Sequence, residues 1–259
     1  MSKLVRVELL KLRTMRVTYG LLAAAIAVTA LFTSLEASGA GRQLPPISTA
    51  AGLSDVTTVG GVAMILAAVL GVIVTSGEFR HTSANLTYLA TPNRGRVLGA
   101  KAVAAALVGA CYGLAAGTVA TAVGLAFVAG HGDHVTLGTA TLVGHVAGAV
   151  AGASLLSVLG VGVGSLIRAQ LAGIIGVFVW CMVIESILGG TISAIRPYLP
   201  YTAATTLGGA KLGAAAFGPG YSASSQHALP FLAAAALLVA VAGAISLVAE
   251  RTTLRHDIT

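Results

Sequence analysis

Val56-Thr-Thr-Val-Gly-Gly-Val-Ala-Met-Ile-Leu-Ala-Ala-Val-Leu-Gly-Val-Ile-Val-Thr75 runs for 20 residues without a charged side chain. As a helix it rises about 30 Å, the thickness of a bilayer's hydrocarbon core. This stretch therefore predicts a membrane-spanning helix, and five others like it lie at residues 17–35, 102–129, 137–167, 171–188 and 230–249. The runs at 102–129 and 137–167 exceed the roughly 20 residues that a bilayer requires, so they must tilt or extend beyond it. The expected fold class is an all-α membrane protein with six transmembrane helices in a single domain, 1–259.

Composition points the same way. Charged residues make up 9% of the chain and hydrophobic ones 56%, whereas about a quarter of a soluble domain is charged. The net charge of +7 does not indicate nucleic acid, because the basic residues sit beside apolar runs and not along a polar face with interleaved aromatics. Both cysteines, Cys111 and Cys181, fall inside apolar runs and offer no disulfide framework.

The basic residues set an orientation. With the N-terminus inside, Lys3, Arg6, Lys11, Arg13, Arg16, Arg80, Arg94, Arg96, Lys101, Arg168, Arg251 and Arg255 are cytoplasmic, and only Arg42, Arg196 and Lys211 are outside. The positive-inside rule then places both termini in the cytoplasm and the loops 36–55, 130–136 and 189–229 outside. The first apolar run is too long for a secretory h-region, and Glu8 interrupts its basic lead, so it is expected to remain as a span. Residues 1–16 predict an interfacial helix on the inner leaflet. Leu4, Val5, Leu9, Leu12 and Met15 share its broad apolar face, Lys3, Arg6 and Arg13 point away, and Glu8, Arg16, Val7 and Leu10 are off pattern.

Within the spans, Gly109, Gly113 and Gly117 recur every fourth residue, as do Gly144, Gly148 and Gly152. Such ridges let helix backbones approach closely where lipid supplies no hydrophobic drive. All seven prolines lie in loops or at a span's first turn, so the discontinuous helices of many ion-coupled carriers are not evident. Glu185 is the one acid and His145 the one histidine within the predicted spans. Glu185 reads either as a polar contact at the extracellular mouth or as a substrate contact; His145 reads as a packed helix contact.

Enzyme chemistry has little to stand on. The chain contains no Gly-x-x-x-x-Gly-Lys-Ser/Thr phosphate loop and no His-Glu-x-x-His. Ser154 lies nine residues from His145 and so points away from it on the same helix. No catalytic, cofactor-binding or metal-binding residue is expected.

The most furnished segment is Gly77-Glu-Phe-Arg-His-Thr-Ser-Ala-Asn-Leu-Thr-Tyr-Leu-Ala-Thr-Pro-Asn-Arg-Gly-Arg-Val-Leu-Gly-Ala-Lys101, which holds four of the fifteen basic residues. Preceded by the basic start Val7-Glu-Leu-Leu-Lys-Leu-Arg13 and followed by four more spans and a short basic tail, it resembles an ABC-2 type permease. Such a permease is the transmembrane subunit of an ABC exporter, and the likeness is to the small six-span kind of actinobacteria and other Gram-positives. The resemblance implies that 77–101 is a cytoplasmic coupling segment seated in a separate ATPase subunit, with Glu78, Phe79, Arg80 and His81 at the contact and the charge pair carried by Glu78 and Arg80. The family often continues with a Gly-Thr step, where this chain has Thr82-Ser83-Ala84. It also implies a short helical segment dipping back between spans five and six within 189–229, where Tyr198 and Tyr201 accompany Pro197 and Pro200.

The resulting expectation is an exporter permease in the plasma (inner) membrane. It would pair with a second permease copy, identical or a sister chain, contact membrane lipid, and leave ATP and Mg to the partner ATPase. The alternatives are an ion- or proton-coupled secondary carrier and a non-transporting immunity or signalling membrane protein.

Overall fold

The computed structural model describes residues 2–41, 45–80, 94–167, 169–210 and 229–252. Among them the chain is helical, and six stretches are long and apolar enough to cross a membrane. The chain is thus a multi-pass, all-helical membrane protein. Helix α1 covers Ser2–Thr14, and α2 covers Arg16–Gly39 after a one-residue break at Met15. Then follow α3 (Ala50–Thr57), α4 (Gly61–Arg80), α5 (Arg94–Gly130), α6 (Thr139–Leu166), α7 (Gln170–Thr191), α8 (Pro200–Leu207) and α9 (Phe231–Arg251).

The predicted second span is not one uninterrupted helix. Thr49 caps α3 by accepting from the Gly52 amide at 3.1 Å, and α3 ends where Thr57 and Thr58 turn their hydroxyls back on the carbonyls of Leu53 and Asp55. Two β-branched threonines followed by Val59-Gly60-Gly61 make a poor helix interior, so the chain bends there before α4 begins. Helix α2 runs past the predicted end of the first span and includes Glu36.

The stretch Ala50–Gly77, which joins α3 to α4, is the innermost, 72% buried over its most apolar part, against 22% for α2, 22% for α7 and 17% for α9. The three peripheral helices turn aliphatic side chains outward, among them Leu31 and Leu35 on α2, Leu171 and Ile187 on α7, and Leu232 on α9. That is the arrangement a lipid solvent favours.

Glycine decides how closely the inner helices meet, though the two ridges do not face each other. The α5 ridge lies on the alanine and serine face of α6. A Cβ at Gly109 would sit 2.7 Å from the Ala153 carbonyl oxygen, and one at Gly113 would overlap the Ala149 carbonyl. Gly148 and Gly152 of α6 face α8 instead, against the carbonyls of Leu207 and Ala204, and Gly160 and Gly164 continue the row against Ala68 and Val72 of α4. A Cβ at Gly144 would meet nothing within 4 Å. Helix α6 therefore has small residues on two faces and packs three neighbours, backbone to backbone.

The N-terminal helix turns the face that carries Leu9, Leu12 and Met15 toward the other helices. Leu12 is 1% exposed, while Leu9 and Met15 pack against the core, so the face carrying them meets protein. Val7 and Leu10, off pattern in the sequence, are the exposed apolar residues of α1.

Candidate functional site

Two clusters of polar side chains lie at opposite ends of the bundle. The first is built on a local irregularity of α7, where Trp180–Ile184 is wound as a π-helix. The wider turn stacks residues five apart, and Trp180 Nε1 donates to Glu185 Oε1 at 2.9 Å. The same carboxylate accepts from the Tyr201 amide at 2.8 Å, the Thr202 amide at 3.0 Å and the Thr202 hydroxyl at 3.2 Å. Pro200, the first residue of α8, has no N–H to offer. Glu185 thus takes the first two free amides of α8, and its charge sits at the positive end of that helix. It is 3% exposed.

This bond set folds the chain back on itself. From the end of α7 at Thr191 the chain passes through the 3-10 turn Ser193–Tyr198 and returns to the level of Glu185, where α8 starts. Helix α8 then rides along α6, with Ala204 against Gly152 and Leu207 against Gly148. Gly152 lies near the middle of α6, so α8 packs alongside the central turns of that helix. Tyr201 is buried with its hydroxyl over Gly61, and Tyr198 is exposed on the turn.

His145 lies at the edge of this cluster. Its Nδ1 shares a 2.9 Å hydrogen bond with the Thr57 hydroxyl, tying α6 to α3. Its ring lies under Gly209, which has a φ of +87° and where a Cβ would come within 2.7 Å of the imidazole. Only glycine meets both demands at that position. Ser154 donates to the Val150 carbonyl. Among the described residues no group of three or more His, Cys, Asp or Glu side chains is placed to hold a metal.

The second cluster lies at the end that carries both described termini. Helix α4 continues as helix through Glu78, Phe79 and Arg80, whose side chains lie outside the described residues, as do His81 and the whole of 81–93. The chain resumes at Arg94 in α5. Two turns on, Lys101 is 2% exposed, and its Nζ lies 3.1 Å from Glu8 Oε2 of α1. Lys11 Nζ lies 2.9 Å from the other carboxylate oxygen of Glu8. Glu250, near the end of α9, brings its carboxylate over Gly95 in the first turn of α5, 3.2 Å from the place a Cβ would take. Three separate parts of the chain, α1, α9 and the start of α5, thus converge at one end of the bundle.

Sequence reasoning missed Glu8 as a site residue and counted Lys101 with the surface cations. A single acid among five bases, on the same side of the helical wheel as the leucines, was the available signal.

Neither protein-family models nor curated proteins yield a match to this chain.

Proposed function

We propose that this chain is the membrane permease subunit of an ATP-driven exporter of the ABC-2 kind, working as a dimer of permeases with a separate ATPase. The observation that carries the reading is the convergence at the terminal end. The coupling segment leaves α4 and enters α5, and the start of α5 is locked to α1 by the buried Glu8–Lys101 pair and overlaid by Glu250 of α9. A push on such a segment moves three elements as one body, because packed helices do not deform continuously. The positive-inside rule makes this end cytoplasmic, the side on which ATP is available.

Helix α8 supports the same reading. A helix packed alongside the central turns of α6 and fixed through Glu185 gives the bundle an outer closure between spans five and six. Glu185 and His145 are both engaged in bonds between elements of the protein, an arrangement that favours a structural role over proton relay. The outward apolar faces of α2 and α7 are the surfaces available for a second permease or for lipid.

The test is functional reconstitution. Purified alone, the chain should hydrolyse no ATP, and with its ATPase in vesicles it should move substrate only when ATP is supplied. Uptake by the lone chain under a proton gradient would instead establish a secondary carrier.

A further inference from the structure

The geometry points to an anionic phospholipid site on the outward face of α1, formed by Lys3, Arg6 and Arg13 around Val7 and Leu10, in the leaflet at the end that carries the termini. This inference is independent of whether the chain transports anything. Its starting point is that α1 cannot roll. Glu8 is held beneath Lys101, and Leu12 is buried one turn further on, so one face of the helix is fixed against the bundle. At about 100° per residue, the residues left pointing away fall in an arc of about 120°. They are Lys3, Arg6, Val7, Leu10, Arg13 and Thr14, and all six are exposed. Lys11 and Lys101 pair with Glu8, and no ion pair joins Lys3, Arg6 or Arg13 to a described carboxylate.

What covers such a face must be anionic and apolar at once, within a single turn of helix. Val7 is 51% exposed and Leu10 62%, interleaved with three cations. A soluble acidic protein would match the charge alone; a phospholipid offers a phosphate and, one helical turn below it, acyl chain. The surroundings fix the level. Tyr19 stands exposed in the first turn of α2 and donates its hydroxyl to the Arg13 carbonyl at 3.0 Å. A tyrosine with a lipid-facing ring and a bonded hydroxyl belongs at the boundary between headgroups and hydrocarbon. The face of α1 thus runs directly into the outward aliphatic surface of α2, which begins at Val17 and continues to Ile26 and Leu31.

Because the opposite side of α1 is joined through Glu8 to Lys101, a lipid bound on this face also bears on the start of α5. Anionic lipid content would then stiffen the end of the bundle that the 81–93 segment enters.

The experiment uses the full-length chain released from detergent into native mass spectrometry. Equimolar palmitoyl-oleoyl phosphatidylglycerol and phosphatidylcholine are presented, with glycerol phosphate and inorganic phosphate in separate arms. The wild type should retain phosphatidylglycerol in preference to phosphatidylcholine. Lys3→Gln, Arg6→Gln and Arg13→Gln should each lower that preference by about fivefold, and a Lys3→Arg/Arg6→Lys/Arg13→Lys variant should keep it. Val7→Ser/Leu10→Ser should weaken retention of both lipids. Circular dichroism checks that each variant keeps its helix content. Equal retention of the two lipids by the wild type would overturn the proposal, as would an unchanged preference in the three glutamine variants. Competition by glycerol phosphate or inorganic phosphate at the concentration of the lipid would make this a free-phosphate site and overturn it too.

Discussion

Glu8 and Lys101, 93 positions apart in the chain, meet at 3.1 Å in a place where both side chains are almost wholly withdrawn from solvent. Their pairing converts an N-terminal helix that the sequence leaves free to lie on a membrane into a fixed part of the bundle. Charges buried this deeply persist only with a partner, because the desolvation cost is several kcal/mol per ion.

Glu8→Ala removes the buried carboxylate that meets both Lys101 and Lys11, and breaking a buried ion pair by losing one partner costs up to roughly 3–5 kcal/mol. Glu8→Ala/Lys101→Met should recover most of it, since neither charge then remains. Unfolding midpoints in a mild detergent for the two single variants and the double variant measure the coupling. Additive losses would mean that the two residues do not share one interaction.

Glu185→Ala removes the acceptor for two backbone amides of α8 at once. Each buried amide left without a partner costs roughly 1–3 kcal/mol. Hydrogen–deuterium exchange over 198–207 should therefore accelerate strongly, while exchange within α4 stays unchanged. Glu185→Gln, which keeps one acceptor oxygen but no charge at the helix N-terminus, should fall between the two.

Gly148→Ala and Gly144→Ala separate contact from pattern, since both glycines belong to the same fourfold repeat. The Cβ at 148 would run into the Leu207 carbonyl, whereas the one at 144 would enter open space. Overpacking typically costs about 1–3 kcal/mol, so Gly148→Ala should lower the thermal midpoint. Gly144→Ala should leave it unchanged or raise it by the modest helix-propensity gain, about 0.5–1 kcal/mol.

These contrasts show what the sequence could and could not disclose. Six apolar spans and the importance of spaced glycines are written in residue type and period. What the period cannot carry is which neighbour each face meets. Gly144, Gly148 and Gly152 look alike in sequence, yet two of them press on α8 and one is open. Glu8 reads as a flaw in an amphipathic pattern because its partner lies beyond three other helical elements. The break at Thr58–Gly60 was masked by its hydrophobicity. A run that is apolar throughout gives no sign of where its backbone turns, apart from its adjacent threonines and glycines. Glu185 was legible as unusual, but its ligands are backbone amides of Tyr201 and Thr202, which every sequence possesses.

Orientation can be read chemically. In a background lacking Cys111 and Cys181, Ser48→Cys should react with an impermeant thiol reagent on intact cells, and Ser83→Cys only after the membrane is opened. Labelling of the cysteine at 83 alone on intact cells would mean that the bundle is inverted.

The central claim is that the segment between α4 and α5 engages a separate ATPase. Purifying the tagged chain from its own cells, with identification of phosphate-loop proteins and measurement of ATP hydrolysis in the eluate, tests it most directly. The wild type should bring down a phosphate-loop ATPase and its activity. Glu78→Ala and Arg80→Ala should lose much of both, by roughly 2–5 kcal/mol if the contact is desolvated and less at a wet rim, whereas Arg94→Ala and Arg96→Ala should retain them. Elution of the wild-type chain with no phosphate-loop protein and no hydrolysis, or an ATPase retained in full by Glu78→Ala and Arg80→Ala, would contradict the account.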